Sequence, residues 1–558
     1  MAKTPPKYGV VIQPRGNDSS LDKLLVTVTL ESPQRKELQS LCLFMATADD
    51  PPHRYSESNT SATDASGRLD VTFSTADDGS IDVVVSRDTV GDVVLLLEVT
   101  PAAIDELTSP MISTELHRDQ GGLIGVGSWF LPHVPYRDVS TCHVEWDLSL
   151  AAPNTTASWS FGEGPQRTTQ TGSDNLLLSS VFMVGPIASY QTEATPAAGN
   201  SSSTPRKGDQ APRIYSFGEL PACFQLLQKA AAPIFFYARS IFENPECIMK
   251  IYIRKIPRGF SGHNFASCFM ISYSDLDKPR HDAELIRYMS HEMTHNWAYL
   301  GNEPDGYQNM WFIEGIADFY ALYLPIMAGV KGSKYFCQTL DEFLIIYYTS
   351  PYLRTPLRQV PNDSNGILVS YRRGFMYFLL LDAQLRAAAE SRGESAQDQI
   401  AVHSTIMSIC HKHWNEGGTN SAFWRETLYA TLGKDTVDAG LRDMMDGKVL
   451  EPHPDLTFPV AGKTVRLKRC EQAMVELGFS DKSFGTRVIK GLVPGSKAQL
   501  AGMQNGDRLL YSPSLSSCRM DPDRPFWFVS QRGNTKMHGE YCPRSSTTVP
   551  SYRTEILD

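Results

Sequence analysis

Cysteines in C-x-x-C spacing are absent from this sequence of 558 residues, although it contains ten cysteines. The cysteines are spread along the whole chain, and the segment that begins Met1-Ala2-Lys3 shows no apolar core of a secretion signal. Scattered cysteines on a chain without such a signal are expected to be reduced thiols. We therefore expect a cytoplasmic protein.

Long hydrophobic runs and an excess of positive charge are also lacking. The apolar run at 234–238 is soon interrupted by Arg239, so no run reaches the length of a membrane span. The formal net charge is −10, which argues against nucleic acid or a membrane as a partner. With 41% hydrophobic and 20% charged residues, the composition is that of a soluble globular protein. The length predicts about two to four domains.

The chain does contain an H-E-x-x-H motif, at residues 291–295. Residues four apart on a helix share a face, so the imidazoles of His291 and His295 can bind one metal ion. Such a pair marks zinc hydrolases, in which the enclosed glutamate, here Glu292, is the general base. Apolar residues recur at helical spacing between 283 and 300, so we expect the motif on a buried helix.

A third zinc ligand is expected from a second helix. Eighteen residues separate His295 from Glu314, which lies in an apolar stretch at 310–327. Two histidine nitrogens and one carboxylate oxygen leave the fourth zinc position open to water, as in catalytic sites. We therefore predict one Zn²⁺ per chain, bound by His291, His295 and Glu314. Asp318, one turn beyond Glu314, could accept a hydrogen bond from a zinc-bound histidine or be a solvated helix carboxylate.

Composition changes along the chain and predicts several domains. Short β-branched segments bounded by turn residues predict a β-sandwich-like domain at 1–192. Residues 193–212 are rich in Pro, Ser, Gly and Ala without a large apolar side chain, as in a flexible loop or linker. Strand and helix patterns at 213–455 predict a mostly helical α+β catalytic domain.

The last segment, 456–558, predicts a β domain of another kind. A strand is expected at 485–489, and the sequence from Gly491 to Asp507 resembles the PDZ signature G-x-V-P-G-S-x-A…A-G-x-x-x-G-D. A PDZ domain binds an extended peptide or a carboxyl terminus by strand addition. The segment could also be a structural appendage that binds nothing.

Over nearly its whole length the chain resembles the glycyl aminopeptidase family of zinc metallopeptidases, which is related to membrane alanyl aminopeptidases and leukotriene hydrolase. The matching motifs are H-E-x-x-H-N-W at 291–297, W-F-I-E-G at 311–315 and Y-R-R-G at 371–374. The resemblance implies a β-rich amino-terminal domain, a thermolysin-like catalytic domain with a gluzincin ligand set, and a PDZ-like carboxy-terminal domain.

The Y-R-R-G motif corresponds to Tyr-x-Lys-Gly in the family, with Arg373 in place of the usual lysine. The resemblance implies that the Tyr371 hydroxyl stabilises the oxyanion of the tetrahedral intermediate, as a phenol donating a hydrogen bond can. Tyr371 could instead be a buried aromatic residue at the start of a helix.

One part of the family's pattern is missing. In the family, a Gly-rich edge strand, Gly-Gly-Leu-Glu-His-x-Asn-Ser, supplies a glutamate that binds the free amino group of the substrate. Alignment on the histidine, His263, places Gly262 where that glutamate should be. A buried ammonium group needs a carboxylate partner, so strict amino-terminal specificity is in question. Asp282 or Glu284 could substitute, and His263 could line the cleft or be an ordinary structural histidine.

These patterns predict a zinc-dependent metallopeptidase, aminopeptidase-like, that hydrolyses a peptide or small amide by metal-activated water. Glu292 would take the proton of the water and pass it to the leaving amine. Two alternatives remain open. One is a zinc hydrolase acting on a non-peptide substrate such as an epoxide; the other is a scaffold with a functional PDZ-like domain and a vestigial zinc site. The complete ligand set together with the base favours the enzyme.

Overall fold

A computed structural model describes most of the chain. The described residues are 5–17, 19–33, 41–42, 55–75, 81–104, 114–133, 139–173, 175–193, 210–275, 278–279, 281–361, 364–393, 400–513 and 515–557. The predicted linker at 193–212 lies outside the described residues except for 193 and 210–212.

The chain forms two compact units. The first is drawn from Met1–Thr192, Ser203–Gln228 and Glu246–Lys278, and the second from Glu193–Ser202, Lys229–Pro245 and Pro279–Asp558. This division into two units does not test the domain limits expected from the sequence, which remain predictions.

The first unit is built mainly from β-strands. In chain order they are β1 (Lys7–Gly16), β2 (Leu21–Leu30), β3 (Leu41–Cys42), β4 (Thr60–Asp64), β5 (Gly67–Leu69), β6 (Val71–Thr75), β7 (Ile81–Val85), β8 (Val93–Val99), β9 (His117–Asp119), β10 (Gly122–Val126), β11 (Ser140–Trp146), β12 (Thr156–Trp159), β13 (Gly162–Glu163), β14 (Thr168–Gly172), β15 (Val181–Gly185), β16 (Ile187–Gln191), β17 (Arg213–Phe217), β18 (Lys250–Lys255), β19 (Ser261–Phe265) and β20 (Cys268–Tyr273). A β-rich amino-terminal part is thereby confirmed.

In strands β1 and β2 of the first unit, every second side chain is buried over most of the strand. In the seven-stranded sheet β14-β11-β1-β2-β8-β4-β5, the inward residues of β1 and β2 are apolar, as period-two alternation requires. Val10 pairs with Val28 and Ile12 with Val26, and all four side chains are buried.

A five-stranded sheet of the first unit carries the predicted substrate-binding strand. Its order is β16-β17-β18-β20-β19, so β19 is an edge strand. On β19, Gly262 lies opposite Ile271 of β20 and His263 opposite Met270. The His263 ring packs on Phe265, with the ring centroids 6.3 Å apart.

The helices lie mainly in the second unit. In chain order they are α1 (Asn175–Leu178), α2 (Leu226–Ile241), α3 (Asp282–Thr294), α4 (Met310–Met327), α5 (Ser333–Tyr348), α6 (Ser364–Ser391), α7 (His403–Glu416), α8 (Ser421–Leu432), α9 (Lys434–Met445), α10 (Ser483–Thr486), α11 (Lys497–Leu500) and α12 (Leu515–Met520). The expected helical middle of the chain is confirmed, and α4 has the expected limits.

The helix that carries the H-E-x-x-H motif is shorter than expected. Helix α3 begins after His281, whose Nδ1 accepts a hydrogen bond from the Glu284 backbone N–H at 3.1 Å. Asp282 and Glu284 in the first turn favour this start, because carboxylates are stabilised near the positive end of the helix dipole. The helix ends at Thr294 instead of continuing to 300, and the chain turns there.

Helices α4 and α6 cross in direct backbone contact. A Cβ atom on Gly315 would lie 2.5 Å from the carbonyl carbon of Gly374, and one on Gly374 would overlap the carbonyl oxygen of Trp311. Glycine at both positions therefore brings the two helix backbones together. This close crossing places Glu314, next to Gly315, beside the residues that precede Gly374.

We expect Gly374→Ala to lower the free energy of unfolding by about 3 kcal/mol, because its methyl group would meet backbone atoms that cannot move aside. The shift in the urea-unfolding midpoint measures this effect. The matched control is Gly440→Ala on α9, where the added methyl group would meet no atom within 4 Å. That control should be neutral or stabilising by about 0.5–1 kcal/mol. Equal midpoints for the two variants would contradict the close crossing.

Helix α4 is strongly apolar and lies mostly in the core of the second unit. By length and composition alone it could cross a membrane, with a mean hydropathy of 1.2, but 78% of it is buried inside the protein. A core helix of a globular protein can have the same length and apolar composition as a membrane span. Four of the α4 side chains that are fully buried in the core are Trp311, Phe312, Ile316 and Tyr320.

The carboxy-terminal segment contains β21 (Thr457–Val460), β22 (Lys463–Val475), β23 (Arg508–Tyr511), β24 (Phe526–Arg532), β25 (Thr535–Tyr541) and β26 (Arg544–Leu557). They form two three-stranded sheets, β21-β22-β26 and β23-β24-β25. A PDZ-like domain that binds a peptide stays a prediction for this segment.

The strand expected at 485–489 is wrong. Residues Ser483–Thr486 form the helical turn α10, and Arg487 has a left-handed backbone with φ of 55°. Only Val488 makes a bridge, to Arg508. The burial of Phe484 beside Phe479 and Phe526 accounts for the turn, since it brings the phenylalanine ring into the small apolar core of this segment.

Candidate metal centre

The three predicted zinc ligands meet between α3 and α4. His291 lies in the last turn of α3, His295 immediately follows that helix, and Glu314 lies near the start of α4. Oε2 of Glu314 is 3.1 Å from Nε2 of His291 and 3.5 Å from Nε2 of His295, and the two nitrogens are 3.2 Å apart. One oxygen and two nitrogens thus form a small triangle.

The size of this triangle fits a zinc ion. A tetrahedral Zn²⁺ with bonds of about 2.0–2.1 Å separates its ligand atoms by about 3.3–3.4 Å. The three measured separations lie on either side of that value. The residue types are also those of zinc sites, since imidazole nitrogen and carboxylate oxygen are ordinary zinc ligands.

The protonation pattern of the centre also calls for a cation. Nδ1 of His291 lies 3.0 Å from Oδ1 of Asp318, and a carboxylate can only accept a hydrogen bond. The proton of a neutral imidazole is therefore on Nδ1, and Nε2 presents a lone pair toward the lone pairs of Glu314. Two acceptors at this distance repel each other unless a positive charge lies between them, either a metal ion or the added proton of an imidazolium.

Charge around Glu314 keeps it ionised. Burial alone would raise the pKa of this carboxyl, but the charges and hydrogen bonds of His295 and His291 outweigh burial and hold the pKa well below its usual range. A carboxylate in this position is the form that binds a metal ion.

Asp318 is buried, and it links His291 to an arginine. Only 1% of Asp318 is exposed, and its Oδ2 accepts a hydrogen bond from Nη1 of Arg372 on α6. Burial, and next the neighbouring Arg287, lower the pKa of Arg372 to about 9, so its guanidinium is still charged at neutral pH. The three side chains form a line from α6 through α4 to the metal-facing histidine of α3.

Tyr371 and Glu292 also lie at the centre. The ring of Tyr371 stacks on that of His291, with centroids 5.8 Å apart and the planes 1° from parallel. Glu292 is 6% exposed. Burial, and then the nearby carboxylates of Glu314 and Glu292, raise the pKa of Tyr371 well above its usual value. The hydroxyl therefore carries its proton at neutral pH and can donate a hydrogen bond.

The predicted site residues fall into both units. Six of them belong to the second unit and lie close together in the structure: His291, Glu292, His295, Glu314, Asp318 and Tyr371. Gly262 and His263 belong to the first unit.

Two neighbouring arginines were not assigned a role from the sequence. Arg372 pairs with Asp318, as described above. Arg373 is fully buried and donates hydrogen bonds to the backbone carbonyls of Tyr352, Leu353 and Thr355. Arg373, at the lysine position of the Tyr-x-Lys-Gly motif, therefore ties the 352–355 loop to α6. The only sequence signal for either residue is their place beside Tyr371.

Comparison with known proteins supports this fold. No protein-family profile and no curated protein matches the chain. The crystal structure of an aminopeptidase N family protein from Idiomarina loihiensis superposes with a TM-score of 0.63 at 15% identity, over 98% of each chain. A two-domain M1 zinc metallopeptidase variant bound to L-tryptophan superposes with a TM-score of 0.51 at 15% identity, over 81% of this chain and 96% of that chain. Native yeast LTA4 hydrolase gives a TM-score of 0.48 at 11% identity, over 82% of this chain and 69% of that chain.

At such low identity the likeness establishes the fold alone. This chain has the multidomain fold of the aminopeptidase N-like M1 zinc metallopeptidases. Its narrower resemblance to glycyl aminopeptidases stays a prediction.

Proposed function

We propose that this protein is a zinc-dependent metallopeptidase of the aminopeptidase type, with one Zn²⁺ held by His291, His295 and Glu314. The observation that carries the proposal is the triangle of three ligand atoms, 3.1–3.5 Å apart, in which Nε2 of His291 and Nε2 of His295 both face one carboxylate oxygen of Glu314. When bound there, zinc supplies a Lewis acid that acidifies water and polarises a carbonyl. Three protein ligands leave one tetrahedral position for water or substrate.

Glu292 is the general base of the proposed reaction. It follows His291 directly on α3, so its carboxylate is held at the same end of the helix as the metal ligands. It takes a proton from the attacking water and then passes it to the leaving amine. Its burial removes competing bulk water, which makes each charge interaction in the site stronger.

Tyr371 is the proposed hydrogen-bond donor to the oxyanion. Its hydroxyl keeps its proton, and its ring is held parallel to the ring of His291. A donor fixed in place before the reaction costs no reorganisation when negative charge develops on the substrate oxygen.

Two observations bear on the substrate class. The M1 zinc metallopeptidase in the comparison binds an amino acid, L-tryptophan, and this favours substrates with a free amino end. Gly262, at the expected position of the amino-binding glutamate on the edge strand β19, removes the usual partner of that amino group. A free-amino substrate is therefore expected to bind weakly, with a high KM, unless another carboxylate takes that role.

The test uses alanyl and glycyl anilides beside their acetyl-capped forms, with the zinc-loaded protein and a chelator control. We expect the free-amino anilides to be cleaved faster than the capped forms, with a high KM, and the activity to be abolished by the chelator and restored by Zn²⁺. Equal cleavage of capped and free forms would replace aminopeptidase activity by endopeptidase activity. Cleavage of neither by protein with bound zinc would contradict the peptidase proposal and favour a non-peptide substrate.

A further inference from the structure

Arg372 is the last member of the line of contacts that ends at the metal ligand His291. Its Nη1 donates to Oδ2 of Asp318, while Oδ1 of the same carboxylate accepts from Nδ1 of His291 at 3.0 Å. Each oxygen of Asp318 thus has one partner, and the two partners come from different helices. The carboxylate cannot rotate without breaking one of these bonds.

Asp318 needs a cation because it is taken out of water. Asp318 is 1% exposed and Arg372 is 4% exposed. A buried carboxylate without a paired charge is strongly unfavourable, and removing one partner of a buried pair leaves the other uncompensated. The planar guanidinium of arginine suits a carboxylate in a way that lysine does not.

The glycine crossing of α4 and α6 determines where this pair forms. Asp318 lies three residues after Gly315, and Arg372 lies two residues before Gly374. Backbone contact at these glycines brings the two side chains together. The arginine is thus delivered to Asp318 by the helix packing and not by a flexible loop.

The other side of Arg372 is closed by an aromatic ring and a second arginine. Its guanidinium carbon lies 4.2 Å from the centroid of Phe343, and that of Arg287 lies 5.6 Å from the same centroid. Arg287 has its own acidic neighbour, since its Nε is 3.9 Å from Oε2 of Glu342. Because the positive charge of Arg287 lies on its other side, the guanidinium of Arg372 is most stable where it contacts the Asp318 carboxylate.

We propose that Arg372 is a positioning residue of the metal centre, which holds the Asp318 carboxylate in the orientation that keeps the Nδ1 proton on His291 and its Nε2 lone pair on the ion. The inference rests on the proposed metal site, but it concerns metal affinity and can be tested without a substrate. The hydrogen bond of Arg372 goes to Asp318 and not to a metal ligand, so its positioning effect passes through Asp318, while its charge also acts on Glu314.

The test is a double-mutant cycle read out as Zn²⁺ affinity, by competition with a chromophoric chelator. Asp318→Asn and Arg372→Met should each weaken Zn²⁺ binding about 10–100-fold, the usual cost of losing a partner of a metal-bound histidine. The double variant should bind Zn²⁺ no more weakly than Asp318→Asn alone. Arg372→Lys, which keeps the charge but not the guanidinium fork, should recover part of the affinity.

Several outcomes would overturn the inference. It fails if Arg372→Met leaves the affinity unchanged, or if it weakens binding by the same factor in the Asp318→Asn background, since Arg372 would then act independently of Asp318. The double variant removes both charges, so it should fold even if Arg372→Met does not. If Arg372→Met does not fold, the cycle is completed with Arg372→Lys.

A cobalt absorption spectrum and a matched control variant distinguish an effect on the metal centre from an effect on the stability of the whole protein. In the cobalt-substituted protein, Asp318→Asn and Arg372→Met should change the visible absorption of the ion in the same way. Arg373→Lys changes the adjacent buried arginine, whose hydrogen bonds go to backbone carbonyls, and should lower stability while leaving the cobalt spectrum unchanged. The cycle could show that the effects of Asp318→Asn and Arg372→Met on Zn²⁺ affinity are coupled in a protein that has no peptidase activity. That result would overturn the proposed function and leave this inference standing.

Discussion

Glu292→Gln should reduce kcat for a free-amino anilide by about 10³-fold or more while Zn²⁺ stays bound. The amide has the shape of the carboxylate but cannot take a proton from water at neutral pH, and general base catalysis contributes about 10²–10⁴-fold in rate. Glu292 is not among the three ligand atoms of the metal triangle, so the metal should remain at one ion per chain. Steady-state kinetics and metal analysis on the same preparation measure both quantities.

The informative control for Glu292→Gln is His291→Ala. That variant removes a ligand and should lose both zinc and activity, with neither restored until excess Zn²⁺ is supplied. A Glu292→Gln protein with bound zinc and a near-native rate would show that another group is the base. Loss of zinc from Glu292→Gln would contradict the separation of base from ligands that the structure indicates.

The metal ligands were accessible from the sequence because the chemistry depends on short-range spacing. Two histidines four residues apart must share a helix face, and this spacing alone predicts His291 and His295 as neighbours. Glu314 could be found because α4 is mostly apolar, so its helix is recognisable from the sequence. The observed limits of α4, Met310–Met327, agree with the expectation.

Asp318, the partner of His291, was suggested by its position one turn beyond Glu314, but the pairing of Asp318 with Arg372 depends on a contact between helices that no local pattern encodes. Arg372 is 54 residues from Asp318 in sequence, and the two meet only where α4 and α6 cross. Gly315 and Gly374 make that crossing close, but glycine within a helical pattern more often suggests an interruption of the helix than a helix contact. Tyr371 was found through family resemblance, and its residue type alone would not have singled it out.

Two of the sequence-based expectations were wrong. At 485–489 the β-branched pattern was overridden by tertiary packing of Phe484, and the segment formed a helical turn. Helix α3 was expected to reach 300, but the chain turns after Thr294. The early end places His295 in the first residue beyond the helix, still with helical backbone angles of φ −59° and ψ −17°, so the ligand spacing survives.

Tyr371→Phe should lower kcat by about 10²–10³-fold, the usual cost of removing one donor to an oxyanion, with little change in KM or in bound zinc. The phenylalanine ring keeps the stacking on His291, so only the hydroxyl is lost. An effect confined to kcat means that the hydrogen bond is made in the transition state and not in the bound substrate. The measurement is the separate determination of kcat and KM for the free-amino anilide.

Tyr377→Phe on the same helix distinguishes this role from a structural one. The Tyr377 hydroxyl accepts a hydrogen bond from Nε1 of Trp424 at 3.1 Å, inside the core. Its loss leaves that indole N–H without an acceptor and should cost about 1–3 kcal/mol of stability, with kcat unchanged. Tyr371→Phe should show the reverse, because its hydroxyl serves the reaction and not the core. If Tyr371→Phe lowered stability and left kcat intact, Tyr371 would be a structural aromatic residue of α6. It lies two turns inside that helix, which begins at Ser364, and not at a helix start as the sequence suggested.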